Sequence, residues 1–267
     1  MFKQFIIAVC LFTAAFSARA ERNYTDVYYD PAESGWGVFL VQTNTFQFVA
    51  FFIYGSDGRP TWYSAQLTDD GTGNYTGSLY ATTGTYFALP WNSAQATINP
   101  VGTVKFSPVD IYHATITYTV NGVGTVSKAI QRTTLTPEVL GGSYSGSLTG
   151  SISGCANPAN NVAHFDGRFN LNVSQVGNQS ATLTFTIVAF NGAPSNAVCT
   201  LSGPIAQVGL LYQMANASYS CPLSPATSAI INSFHVVGQG IEGRWHADDG
   251  GGCVESVHFS AVDLSLN

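Results

Sequence analysis

The sequence ESGWGVFLVQTNTFQFVAFFIYGSDGRPTWY, residues 33–63, determines how the first half of this chain folds. Apolar side chains alternate through 46–54, with the period of two that is typical of a β-strand. A second alternating run occupies 36–41, and the polar QTNT segment between the two runs predicts a hairpin loop. The Asp-Gly pair at 57–58 favours another tight turn, after which a third run occupies 62–67. We therefore predict an antiparallel three-stranded meander that is rich in aromatic rings.

The rest of the chain continues with the same period of two. The Asn-Gly pair at 121–122 is a strong hairpin signal, and seven or eight short runs separated by Gly and Asn turns follow residue 140. No segment from residue 21 onward keeps a helical period, and the Pro-containing segment 133–138 is the predicted boundary. We predict an all-β protein with two small antiparallel β-barrel or β-sandwich modules, at residues 24–135 and 140–267.

The first twenty residues have the composition of a secretory signal. Lys3 precedes an apolar run at 5–16, and Ala18-Arg19-Ala20 supplies the small residues that a signal peptidase requires. The apolar run is shorter than the roughly 20 residues that span a bilayer. Cys10 lies inside this run rather than at its end, which argues against a lipoprotein. We predict a signal peptide at 1–20, a secreted or periplasmic protein, and no transmembrane segment after cleavage.

The charge of the predicted mature chain disfavours polyanionic partners. From Glu21 onward, seven Lys and Arg stand against fifteen Asp and Glu, so the formal charge is about −8. Nucleic acids and anionic membrane surfaces call for clustered Lys and Arg. The composition therefore predicts no nucleic-acid partner.

Four cysteines remain after the predicted cleavage, namely Cys155, Cys199, Cys221 and Cys253. An even number of cysteines in an exported protein predicts two disulfides, although their positions alone allow three pairings. The strand pattern favours Cys199–Cys221 across a hairpin, and Cys155–Cys253 between the first and last strands of the second module. A metal site is the alternative, but these cysteines lack the close spacing of metal ligands.

Catalytic motifs are scarce in this sequence. Glu33 beside Trp36 is the one candidate acid, because an aromatic environment raises a carboxyl pKa. The interpretation that we favour is a turn carboxylate that accepts backbone N–H bonds, and no second carboxylate can be placed opposite Glu33 for glycoside hydrolysis. His246, near His258 and followed by Asp248-Asp249, is interpreted as a strand end and its turn. No zinc signature, serine-hydrolase elbow or phosphate loop is present, so we predict no metal and no cofactor.

Aromatic side chains are the main candidate for function. We predict that a ligand is bound by the side chains Tyr29, Glu33, Trp36, Trp62, Tyr63 and Tyr80. Trp36 is expected to be the ring that is exposed or lines a pocket, because glycines flank it on both sides and leave its faces open. Strands also bury rings, so at least half of the following nine are expected in the core: Tyr28, Tyr29, Trp36, Phe39, Trp62, Tyr63, Tyr80, Tyr86 and Trp91.

Three motifs together resemble a known kind of module. They are ESGWG at 33–37, YGSDGRPTWY at 54–63 and YTVNGV at 118–123. Over residues 28–133 the chain resembles a β-rich module, with no assigned activity, that is found in secreted proteins of proteobacteria. Residues 140–265 resemble a cysteine-containing β-module that follows it. The resemblance implies secretion and the fold, and it implies no activity or catalytic residue.

Three functional hypotheses follow, in order of preference. The first is a secreted, non-enzymatic protein that binds a ligand or surface, such as a glycan or a cell-envelope component, through its aromatic side chains. The second is a structural or assembly protein of the bacterial envelope. The third is an extracellular hydrolase that uses Glu33.

Overall fold

The computed structural model describes residues 22–250 and 252–266, which form two closed antiparallel β-barrels in succession. The predicted signal peptide, residues 1–20, lies outside the described residues. Within those residues the only helices are single 3-10 turns at Ser93–Gln95, Pro158–Asn160 and Leu264–Leu266. None of the helices among the described residues has the length and hydrophobicity of a membrane-spanning segment. The predicted fold class is therefore confirmed, with both modules built as barrels.

In the first barrel each strand pairs with the next along the chain, and the last pairs back with the first. The predicted meander forms its second to fourth strands, and the 121–122 turn joins the last two. The eight strands are β1 (Asp26–Tyr29), β2 (Gly37–Gln42), β3 (Gln47–Tyr54), β4 (Pro60–Asp69), β5 (Tyr75–Thr83), β6 (Thr97–Pro108), β7 (His113–Val120) and β8 (Gly124–Arg132).

The interior of the first barrel is filled by alternate side chains from all eight strands. Val38 and Leu40 of β2, and Val49 and Phe51 of β3, are completely buried. Phe106 of β6 packs edge-on against two tyrosine rings at centroid distances of 5.6 Å. Because full burial of one such side chain stabilises the fold by about 1.5–3 kcal/mol, the pattern of alternation decides which face of each strand points inward.

The second barrel contains ten strands, of which eight close the cylinder. The strands are β9 (Gly142–Ser153), β10 (Val162–Val176), β11 (Ser180–Phe190), β12 (Ala193–Pro194), β13 (Val198–Pro204), β14 (Ala206–Val208), β15 (Leu211–Ser220), β16 (Ser228–Val237), β17 (Gly240–Asp248) and β18 (Val254–Asp263). Around the barrel the order is β10, β9, β18, β17, β16, β15, β13 and β11, and β11 pairs back with β10. The short strands β12 and β14 are additions to β11 and β15.

An aromatic cluster occupies the centre of the second barrel. The Phe185 ring lies 4.9 Å from Phe169, 5.3 Å from Trp245 and 5.3 Å from Phe259, measured between centroids. Tilted and edge-to-face arrangements of this kind stabilise aromatic pairs by more than the burial of their surface alone accounts for. Two of these rings, Phe185 and Trp245, also line a cavity that opens at one end of this barrel.

Both disulfides lie at that same end of the second barrel. Cys155–Cys253 joins the residues after β9 and before β18, which are neighbouring strands. Cys199–Cys221 joins β13 to the residue after β15. These are the two pairings that the strand pattern favours.

A buried ion pair lies where the two barrels meet. Arg132, the last residue of β8, has 2% of its surface exposed, and its Nη1 donates to Asp26 Oδ2 over 2.9 Å. The guanidinium also donates to three backbone carbonyls, those of Asn23 at 2.6 Å, Thr25 at 3.0 Å and Ile111 at 2.8 Å. Four donated bonds satisfy most of this buried cation, so the chain entering β1 is held against β8.

The same carboxylate reaches across to the second barrel. The Leu210 N–H, in the turn between β14 and β15, donates to Asp26 Oδ2 over 2.9 Å. Gly209 precedes it with a φ of +67°, and a Cβ at this position would collide with Asp26 and Arg132. The Gly209 N–H donates to Thr134 Oγ1, in the segment that connects the two barrels, over 3.1 Å. The turn therefore requires glycine both for its backbone conformation and for the close approach of the two barrels.

Candidate functional site

A row of aromatic rings covers the outside of the first barrel. Because Val38, Val49 and Phe51 point inward, their neighbours on β2, β3 and β4 point outward. Phe52 is 59% exposed, and it lies directly opposite Trp62, which is 54% exposed. We call this surface the outer aromatic face, and its exposed rings are Phe39, Phe48, Phe52, Tyr54 and Trp62.

The neighbours of these rings are small or polar and uncharged. Phe52 lies between Trp62 of β4 and Gly37 of β2. Because Gly37 has no side chain, the β2 side of the Phe52 ring is open. Ser64 and exposed Gln66 follow Trp62 along β4, and the half-buried Tyr80 of β5 lies opposite Ser64. Within β2, β3 and β4 the one charged residue is Asp69, at the far end of β4 from Trp62. The face therefore offers rings and a few hydrogen-bonding groups to a ligand, and no ionic contact.

The six residues predicted to bind a ligand do not form one surface. Trp62 and Tyr80 belong to the outer aromatic face. Trp36 and Tyr63 are half-buried and pack against the core of the barrel, whereas exposed Glu33 lies in the β1–β2 connection. The last of the six, Tyr29, lies on β1 opposite Gln131 of β8 and is half-buried.

The structure differs from two expectations about the rings. Trp36 is half-buried and packs against the core of the barrel, whereas Trp62 is exposed. At least half of the nine rings were expected to lie in the core, but only one of them, Tyr28, is fully buried. A narrow eight-stranded barrel has little interior volume, and aliphatic residues fill much of it.

Sequence reasoning missed Phe48, Phe52 and Tyr54 as ligand-binding candidates. The available signal was that strand 46–54 is apolar on both faces. A strand in a closed barrel has one face inside and the other outside, so one of its two apolar faces has to be exposed.

The Glu33 carboxylate accepts one long-range and one local hydrogen bond, both from side chains rather than from backbone amides. Its Oε1 accepts a hydrogen bond from Lys128 Nζ of β8, and its Oε2 accepts one from Trp36 Nε1 over 3.1 Å. The hydrogen bond from Lys128 lowers the pKa of the Glu33 carboxyl below its usual value. A general acid needs a raised pKa, so this geometry does not favour acid catalysis by Glu33.

The Glu33–Lys128 ion pair predicts a pH-dependent stability. Because the pKa of Glu33 is lowered in the folded state, the stabilisation is present above the usual value of about 4.5 and is lost as the pH falls through the lowered pKa. Lys128→Ala is therefore expected to be less stable than the wild type near neutral pH, with the difference disappearing in acid. Urea unfolding at about pH 7 and about pH 3 measures this.

Arg168→Ala is the control, since this exposed arginine of β10 forms no ion pair among the described residues. It should show no such pH-dependent difference. A stability loss for Lys128→Ala that is the same at both pH values would contradict the prediction.

A polar cleft of about 480 Å³ lies between the two barrels. It brings together four of the five histidines, with His113 Nδ1 lying 2.9 Å from Asp110 Oδ2 and His235 Nε2 lying 3.6 Å from Glu242 Oε1. Burial, followed by the charge of Arg244, lowers the pKa of His258. Among the described residues, no group of three or more His, Cys, Asp or Glu side chains is arranged to hold a metal ion.

The connection between β5 and β6 is a second exposed apolar surface. Phe87 is 90% exposed, and it is accompanied by exposed Tyr86, Leu89 and Trp91. No charged residue occurs between Asp70 and Lys105. This connection, residues 84–96, is separate in sequence from the outer aromatic face, and we call it the aromatic loop.

No protein-family model matches this sequence, and no curated protein matches it significantly.

Proposed function

We propose that this chain is an exported, non-enzymatic binding protein whose outer aromatic face holds a neutral glycan. The observation that carries the proposal is the exposed cross-strand pair of Phe52 and Trp62 on an uncharged face. Two disulfides and the predicted signal peptide support export, because disulfides persist in oxidising compartments.

The chemistry of the face supports a sugar ligand. The C–H faces of sugar rings stack on exposed aromatic rings, and hydroxyl and amide side chains beside those rings hydrogen-bond to sugar hydroxyls. Ser64 and Gln66 occupy such positions along β4. The acidic chain disfavours anionic polysaccharides, since like charges repel.

The proposal predicts that Trp62→Ala weakens glycan binding. Loss of one stacking ring is expected to cost about 1.4 kcal/mol of binding free energy, which corresponds to roughly tenfold weaker binding. Isothermal titration calorimetry with cellohexaose and chitohexaose as neutral probes, and an oligogalacturonate as the anionic probe, measures the change. Phe52→Ala should behave similarly, and both variants should unfold at the wild-type denaturant concentration because these rings are exposed.

Trp91→Ala is the matched control, because it removes an exposed indole from the aromatic loop rather than from the outer aromatic face. It should leave the affinity unchanged. Equal weakening by Trp91→Ala and Trp62→Ala, or binding of none of the neutral probes, would count against the proposal.

The aromatic loop supports a second candidate function, as an assembly component of the bacterial envelope. An exposed cluster of Phe87, Leu89 and Trp91 is unusual for a protein that stays monomeric. Crosslinking in cells that produce the protein should then capture an envelope partner, and Phe87→Ser should abolish the capture. A monomeric protein without crosslinks would contradict this candidate.

A further inference from the structure

An apolar cavity opens at the disulfide-bonded end of the second barrel. Its volume is about 210 Å³, and it is lined mainly by Leu148, Ile152, Phe165, Phe185, Ile187 and Trp245. An apolar cavity of about 150 Å³ is large enough for benzene. A second cavity of about 230 Å³ adjoins it and shares Ile152, Ser224 and Glu255 with it.

One carboxylate is buried between these two cavities. Glu255 of β18 is 8% exposed, and its Oε1 accepts hydrogen bonds from Tyr219 Oη at 3.0 Å and from Trp245 Nε1 at 3.2 Å. Burial and the neighbouring charge of Glu255 raise the pKa of Tyr219, so the phenol keeps its proton and remains a donor. Within residues 22–250 and 252–266, no donor is hydrogen-bonded to the second oxygen, Oε2.

Among the described residues, those around Glu255 supply no cation. No Lys, Arg or His is among the described residues that line either cavity. A buried carboxylate without a cationic partner is costly, and two neutral donors on one of its oxygens offset only part of that cost. An apolar cavity around an incompletely paired carboxylate is suited to a ligand that carries the missing positive charge.

We propose that this cavity binds a small apolar amine. The protonated nitrogen donates to Glu255 Oε2, and the apolar part of the ligand packs against Phe185 and Ile187. A carboxylic acid would be repelled by Glu255, and a neutral alcohol would leave the buried charge unpaired.

The entrance to the cavity is open and held in shape. Val162 and Leu223, which line the cavity, are partly exposed and give an apolar ligand a route from solvent. Cys199 and Cys221 line the same cavity, and Cys253 lines the adjoining one. Disulfides on both sides limit the movement of the strand ends, so the cavity is preformed. A preformed site favours binding because less conformational entropy is lost when the ligand binds.

Titration of the oxidised, mature protein with phenethylamine tests the proposal. The indole of Trp245 is both in the cavity and hydrogen-bonded to Glu255, so its fluorescence should change saturably. Phenethyl alcohol, a neutral analogue of similar shape, should bind at least about tenfold more weakly, because it lacks the charge-assisted hydrogen bond.

Glu255→Gln should weaken phenethylamine binding at least about tenfold while changing the affinity for the alcohol little. The matched control is Glu242→Gln, which alters a partly exposed glutamate in the cleft between the barrels and should leave phenethylamine binding unchanged. Ile187→Trp fills the cavity and should abolish binding of both probes, so the proposal stays testable even if Glu255→Gln does not fold.

Equal affinity for the amine and the alcohol, or phenethylamine binding that survives Ile187→Trp, would overturn the assignment. The absence of any phenethylamine binding to the wild-type protein would overturn it as well. This site lies in a different barrel from the outer aromatic face, so its failure would leave the glycan proposal unaffected, and the reverse also holds.

Discussion

Arg132→Ala is expected to lower the free energy of unfolding by about 3–5 kcal/mol, the usual cost of removing one partner from a buried ion pair. The substitution leaves the Asp26 carboxylate buried without its cation. It also deprives the carbonyls of Asn23, Thr25 and Ile111 of their donor. Each unsatisfied buried group adds to the loss, which places this residue among the most sensitive in the chain.

The measurement is chemical denaturation of the wild type, the single variants Asp26→Ala and Arg132→Ala, and the double variant Asp26→Ala/Arg132→Ala. Removing both charges leaves no unpaired buried ion, so the double variant should be more stable than the sum of the two single losses indicates. Arg168→Ala is the matched control, since Arg168 is an exposed arginine on β10, and it should change the stability by less than about 0.5 kcal/mol. Strictly additive losses would contradict the role assigned to the pair.

Simultaneous replacement of Cys155 and Cys253 by alanine is expected to cost about 4.7 kcal/mol in the chain-entropy account of disulfides. The reason is the length of the closed loop, because these cysteines are 98 residues apart and their bond restricts nearly the whole second module when it is unfolded. The cysteines of the other disulfide are 22 residues apart, and its removal is expected to cost about 3.4 kcal/mol on the same account.

Guanidinium chloride unfolding of the two double-alanine variants measures this difference. The Cys199→Ala/Cys221→Ala variant is the control, since it removes the same chemical bond while closing a shorter loop. The larger loss should belong to Cys155→Ala/Cys253→Ala. Equal losses, or the reverse order, would show that loop closure does not control the stability of this barrel.

Much of the architecture could be predicted because its causes are local. Alternation of apolar and polar side chains has the same period as a strand, so residues 46–54 and 62–67 could be assigned to strands without a tertiary contact. Turn residues such as Asn121-Gly122 mark where such runs reverse. The disulfide pairing followed from the order of the strands, because cysteines at corresponding ends of neighbouring strands are brought close together.

The arrangement of the candidate site could not be predicted in this way. Whether Phe52 or Phe51 faces solvent depends on barrel closure, since both faces of β3 are apolar and only the cylinder distinguishes inside from outside. Glu33 was predicted to be a turn carboxylate or a catalytic acid, yet it contacts Lys128, which lies 95 residues away in the sequence.

The sequence by itself determined the strands, the two-module organisation and the cysteine pairing, since each depends on the period of two, on turn residues or on strand order. Only the tertiary structure decided which rings form the outer aromatic face, that Arg132 and Asp26 meet between the barrels, and that Glu255 lies in a cavity. The physical reason is that burial and charge pairing are properties of side chains brought together from distant positions, and closure of a barrel determines which positions those are.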